Sequence, residues 1–202
     1  MTKVLIIDSA ATGEQSVSRK LVDTLVADLG ARGAEIVRRD IGGSPVPHLT
    51  PETVFAIRSS EASTDAELEA LALSDALIDE LRQADVLVIG APMYNFGIPS
   101  TLKAWFDHVL RARVTFRYTE KGPEGLMTGK KAIVVESRAG LYSEGPMVAM
   151  DSQEPHLRNL LGFMGITDVT FVRAEKLAFG PEAAEASLAE ASGQLRELAL
   201  AA

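Results

Sequence analysis

The sequence predicts an α/β fold: one doubly wound, five-stranded parallel sheet with helices on both faces, a three-layer α/β/α domain. Three observations lead there. Five short β-branched runs alternate along the chain with longer stretches of helical periodicity. The first, third and fourth runs are nearly continuous in apolar residues, as strands covered on both faces must be. Each run is followed by a helical pattern, which calls for parallel strands joined by right-handed crossovers.

In chain order, the first strand is Lys3–Asp8 (KVLIID), followed by a helix at residues 17–29 with Leu21, Leu25 and Leu29 on one stripe. Glu35–Asp40 (EIVRRD) alternates, setting Ile36 apart from Arg38 and Arg39, and reads as an edge strand. The composition then shifts to SPVPHLTPE and SSEAST, a long connection between positions 40 and 65. A helix at 65–82 carries Leu68, Leu71, Ile78 and Leu81, and the third strand is DVLVIG at 85–90. Residues 100–111 place Leu102, Trp105, Phe106, Val109 and Leu110 at helical spacing. Val114, Phe116 and Tyr118 then alternate before Lys121-Gly122-Pro123 turns, which predicts an extended excursion rather than a helix. Lys131–Ser137 (KAIVVES) is the fourth strand. The helix Glu154–Met164 has Pro155 suited to its first turn. A fifth strand at 169–174 and a helix at 182–198 complete the pattern, with no internal repeat, so residues 1–202 are expected to form a single domain.

Charge and composition narrow the function. There are 28 acidic against 20 basic residues, a net charge of −8 without a concentrated basic patch, so nucleic acid and anionic membrane are not expected partners. The absence of cysteine removes thiolate chemistry and Cys-ligated metal. It also fits a reducing compartment. The start, MTKVLIID, lacks the length and cleavage site of a signal peptide, and no apolar stretch approaches about 20 residues. A cytoplasmic location is the expectation.

In a sheet of this kind ligands sit outside the carboxyl ends of the strands, where strand order reverses. The loops after the first, third and fourth strands are therefore the candidates. The first runs from Ser9 to Ser18 and opens into a helix, with Ser16 suited to an N-cap. Helix N–H groups plus the hydroxyls of Ser9, Thr12, Ser16 and Ser18 can surround a phosphate. It matches neither GxxxxGK[ST] nor GxGxxG. From this loop alone, simple capping by Ser16 is as good a reading. After the third strand comes APMYNFGIPS at 91–100. Its prolines, Pro92 and Pro99, stiffen both ends, and Met93, Tyr94, Asn95 and Phe96 suit a flat aromatic ligand. The alternative is that these side chains, Phe96 above all, pack into the core or a subunit interface. The third loop, Ser137-Arg138-Ala139-Gly140, offers small residues for close backbone approach.

The combination of the S-x-S loop at 16–18, MYNF at 93–96 ahead of LKAWFD, FRYTEKGPEGL at 116–126, SRAG at 137–140 and LGFMGITDV at 161–169 resembles the FMN-dependent NADH:quinone oxidoreductases and azoreductases. The likeness spans essentially the whole chain. It implies a flavodoxin-like fold and a homodimer with noncovalent FMN near the subunit interface, one per subunit. By that resemblance Ser16, Val17 and Ser18 hold the phosphate, Met93 to Phe96 flank the isoalloxazine ring, and Ser137, Arg138, Ala139 and Gly140 line its pyrimidine side. The family's serine at position 10 is here Ala10, so by the resemblance either Ser9 takes its role through a one-residue shift or one phosphate hydrogen bond is missing. Ala139 stands where the family often has glycine. Tyr118 and Phe163 match aromatic positions that reach over the flavin from the partner subunit and, with Phe96, meet the substrate. Packing in the core is the alternative for both.

The resemblance further implies a ping-pong cycle with NADH or NADPH as donor and quinones or azo compounds as acceptors, and no catalytic side chain or metal. Arg58 and Arg117 are the cations available to a 2′-phosphate. A flavodoxin-type electron carrier, without a small-molecule substrate, shares fold and cofactor and is the rival reading. His48, His108 and His156 share no metal or triad spacing, and His108 is expected to be solvated or capping. Trp105 is expected in the core or an interface rather than as a flavin platform. Asp8 ends the first strand as in a phosphoryl-accepting receiver, but Gly90 stands where such a domain needs a second aspartate.

Overall fold

The computed structural model describes residues 1–201. Five strands form one parallel sheet: β1 Lys3–Asp8, β2 Glu35–Asp40, β3 Val86–Pro92, then Lys131–Ser137 and Asp168–Ala174. Two short antiparallel strands intervene, Phe116–Thr119 (β4) and Gly122–Gly125 (β5), so the last two sheet strands are β6 and β7. The sheet order is β2-β1-β3-β6-β7. Chain order reverses at β1, with β2 on one side and β3 on the other, which makes the gap between the carboxyl ends of β1 and β3 the switch point.

Six α-helices accompany the strands: α1 Val17–Ala31, α2 Thr53–Ser59, α3 Asp65–Gln83, α4 Ser100–Val109, α5 Glu154–Met164 and α6 Pro181–Ala201. Strand alternation divides the core. Val4, Ile6, Val86 and Val88 face α1 and α6, packing on Leu25 and Leu195. Leu5, Ile7, Leu87 and Ile89 face the opposite way, onto Ile78, Trp105, Phe106 and Leu161 from α3, α4 and α5. Trp105 is fully buried against the ring of Phe106, as expected. Helix α3 starts on a capping box in which Thr64 and Glu67 satisfy each other's backbone N–H.

Four features differ from the sequence reading or add to it. The 40–65 connection contains α2, whose seven residues bury only Ala56 and Ile57 and give no readable periodicity. The third strand starts one residue later and runs two further than 85–90. Asp85 instead caps the start of the neighbouring strand β1, its carboxylate accepting from Lys3 N at 2.8 Å, while Pro92 is in register with Ser137. The excursion is a hairpin seated on the end of α5: Met127 N donates to Met164 O at 2.8 Å. Gly125 lies so close to this turn that a Cβ there would stand 2.1 Å from Gly165 N. His108 is likewise buried rather than solvated. Its Nε2 donates to Pro47 O at 3.0 Å, pinning the long connection to α4, and burial lowers its pKa.

Candidate active site

The three predicted loops meet at the switch point. At the first, Ser16 has extended backbone and caps α1, its Oγ accepting from Arg19 N at 3.4 Å. The Ser16 and Ser18 hydroxyls lie 3.0 Å apart, both buried. Val17 and Ser18 occupy the first helical turn, where N–H groups have no partner within the helix. Helix dipole, amides and hydroxyls thus converge on one point suited to an anion. The nearby guanidiniums are engaged by carboxylates: Arg19 by Asp40 at 2.6 Å, Arg38 by Asp8 and Asp23.

Ser9 does not join this cluster. It is fully buried, and its hydroxyl donates to Gly90 O at 2.6 Å, tying β1 to β3. Its proton is therefore committed to the sheet, against the role expected in place of Ala10. Ala10 is buried too, and its carbonyl packs so tightly on Gly42 that a Cβ at 42 would stand 2.2 Å from it.

The second loop is a two-residue hairpin turn. Tyr94 and Gly97 exchange backbone hydrogen bonds of 3.0 and 3.1 Å, and Asn95 (φ 48°) and Phe96 (φ 72°) both occupy the left-handed region, the signature of a type I′ turn. Asparagine tolerates this well; a bulky phenylalanine rarely adopts it. The two aromatic side chains of the turn play different parts. The Tyr94 hydroxyl accepts from Ala11 N at 3.1 Å and so bridges to the phosphate-side loop. Phe96 faces outward, 39 % exposed, with its ring edge-on to Tyr142 at 6.2 Å.

The third loop is stitched to both neighbours. Ser137 O accepts from Met93 N at 2.9 Å, and Arg138 N donates to Ala174 O at 2.8 Å. Ala139 and Gly140 offer their carbonyls to Ala178 and Lys176. A Cβ on Gly140 would stand 3.0 Å from the Tyr142 ring, so the residue's smallness is used for close approach. The side chain of Arg138, grouped above with the pyrimidine-side contacts, is buried and points away beneath the loop. It is ringed by Glu136 at 2.7 Å, Asp151 at 3.2 Å and Glu175 at 3.2 Å, because a guanidinium taken out of water must be paired. Burial in this cluster pushes the carboxyl of Glu136 up to about 8 despite Arg138.

Tyr118 and Phe163 are side by side but apart from these loops. Phe116 contacts both rings, at 5.6 and 4.6 Å, and the three line a cleft of about 590 Å³ with Leu49, Leu110 and Leu160. None of residues 93–96 lines it. Tyr142, Ser152 and Gln153 are site-supporting residues that sequence reasoning missed. Nothing in their local sequence marks them, since their partners lie far along the chain.

The donor set fits FMN: an anion-ready helix terminus with hydroxyls at one end, and at the other a rigid turn with an exposed aromatic ring and closely approached backbone. Residues 2–199 match the family model described as a flavodoxin-like fold. The chain is 54 % identical over 201 residues to an FMN-dependent NADH:quinone oxidoreductase of Hyphomonas neptunium, covering 98 % of this chain and 96 % of that one. It is 50 % identical over 202 residues to the protein of the same name from Azotobacter vinelandii, covering 98 % and 100 %. Among solved structures, an azoreductase from Bacillus anthracis str. Sterne superposes with a TM-score of 0.89 at 29 % identity, covering 98 % and 99 %. An FMN-dependent NADH-azoreductase from Bacillus anthracis str. Ames Ancestor, in complex with FMN, gives 0.89 at 26 % identity, covering 99 % and 98 %. The fold, the switch-point loops and this whole-length identity agree: the chain belongs to the flavodoxin-like family of FMN-dependent NADH:quinone oxidoreductases.

Proposed function

We propose that the protein binds one FMN per subunit and uses NAD(P)H for two-electron reduction of quinones and reductive cleavage of aromatic azo compounds. The observation that carries this reading is the tying of three loops into one frame at the switch point, through Ala11 N to Tyr94 Oη and Met93 N to Ser137 O. Ser16, Val17 and Ser18 would hold the phosphate. Met93, Asn95 and Phe96 would flank the ring, Tyr94 would brace the turn, and the backbone of 137–140 would line the polar edge. FMN held there would supply the hydride- and electron-transfer chemistry between nicotinamide and acceptor. The chain's contribution is orientation, because a rigid turn holds stacked reactants near contact distance.

Donor and acceptor would use one face in turn, a ping-pong cycle, and an azo substrate would need two rounds for complete cleavage to amines. The protein would work as a homodimer in which Tyr118 and Phe163 of the partner subunit cover the ring. The grouping of exposed Tyr118 and Phe163 with Phe116, Leu110 and Leu160 along one cleft supports this, since a contiguous apolar patch marks an interaction surface. Among the described residues no helix is long and apolar enough to cross a membrane.

Steady-state rates with FMN-loaded protein test the proposal. Varying NADH at several fixed quinone concentrations should give parallel double-reciprocal lines. Intersecting lines would refute the ping-pong cycle, and FMN binding with no NADH consumption would indicate a flavodoxin-type carrier. The same assay with NADPH and an azo dye sets donor preference and acceptor range.

A further inference from the structure

We propose that Arg138 and Gln153 form a positioning relay that locks the 93–97 turn to the 137–143 loop, an inference that rests on that turn being the flavin-ring cradle. Gln153 is fully buried and divides its amide between two elements. Its Oε1 accepts from Arg138 Nε at 3.0 Å, and its Nε2 donates to Ala91 O at 2.8 Å, two residues before the turn begins. The neighbouring Ser152 N donates to Phe96 O at 2.9 Å, clasping the turn at its strained residue. Asp151 fixes this stretch in turn, its Oδ1 accepting from Gln153 N at 2.8 Å and Glu154 N at 3.1 Å.

Arg138 extends the same frame to the third loop. Its Nη1 pairs with Glu175, whose carboxylate also accepts from Tyr142 N at 2.8 Å and Ser143 N at 3.1 Å. One planar guanidinium therefore holds the acid that anchors 142–143 and the amide that anchors 91. A point-charge ammonium has no fork to do both. Left-handed backbone at a bulky residue persists only where surrounding contacts over-determine it. Ser152 supplies one such contact at Phe96, and the relay fixes the end of β3 from which the turn starts. The side chain of Arg138, buried among these carboxylates, is thus a positioning group.

The full chain is compared with Gln153→Met, which keeps volume but loses both hydrogen bonds, and with Arg138→Lys, which keeps charge but loses the fork. Amide hydrogen exchange is followed with and without FMN, and binding of FMN and of riboflavin is measured, with Ser16→Ala as comparator. In the folded variants the amides of Met93, Tyr94 and Gly97 should exchange faster while those of β1 stay protected. FMN and riboflavin should weaken by the same factor, about 10- to 100-fold as for other orienting partners behind a ligand. Ser16→Ala should weaken FMN alone. Wild-type protection at 93–97 together with unchanged affinity for both flavins, in either folded variant, would overturn the relay even if the melting temperature falls. If the wild-type chain binds neither flavin, the cofactor reading fails by itself. The exchange comparison then still decides the relay.

Discussion

At Gly42 a single missing Cβ decides whether the phosphate-side loop can close, because Ala10 O occupies the space a methyl group would take. Gly42→Ala should push that loop from the start of α1, lowering stability by about 1–3 kcal/mol, the usual effect of overpacking. FMN affinity should fall with it, and thermal melting with and without FMN checks both. Glu136 gives a second residue-scale prediction. Burial raises its carboxyl from 4.5 to about 8, with Arg138 opposing and Glu154 and Asp151 reinforcing. Arg173, 3.9 Å away, is the other cation facing it. The folded state thus holds a proton that the unfolded chain releases between these values, so this contribution is full below pH 4.5 and lost as pH rises through about 8. Glu136→Gln, neutral at every pH, should gain melting temperature relative to wild type as pH rises from 5 to 8. A difference that stays constant across that range would show Glu136 ionised throughout.

Among the elements, the β4–β5 hairpin rests on α5 through Gly125 and Gly165, and carries Tyr118 outward. Gly125→Ala should unseat the hairpin with little effect on the core, since neither main cluster includes β5. Quinone turnover should fall more than FMN affinity, which steady-state kinetics and flavin titration resolve. How much was legible in the sequence follows from the range of each interaction. The sheet strands and long helices were readable because burial on two faces or one stripe repeats along the segment itself. Helix α2 was not, having too few residues to show a period, and GPEG in β5 has no strand former to announce its pairing. The cap at Ser16 was readable because capping is local. The orientations of Ser9 and Arg138 were not, because each is set by a partner far along the chain, Gly90 and Glu175.

For the whole molecule, the site exists because a doubly wound sheet brings the ends of β1, β3 and β6 to one edge, and the loops there are bonded into a frame. Tyr118 and Phe163 belong to a separate cleft of the same chain, so their proposed service to the ring requires a second copy. Tyr118→Ala should leave FMN binding near wild type and reduce acceptor turnover, with sedimentation reporting whether the dimer persists. The central claim is that this frame holds a flavin reducible by NADH. It is tested most directly by mixing FMN-loaded protein with NADH in the absence of oxygen and following the yellow absorption band. The account predicts rapid bleaching, restored on adding a quinone. A band that persists with NADH, on protein that demonstrably holds FMN, would contradict it.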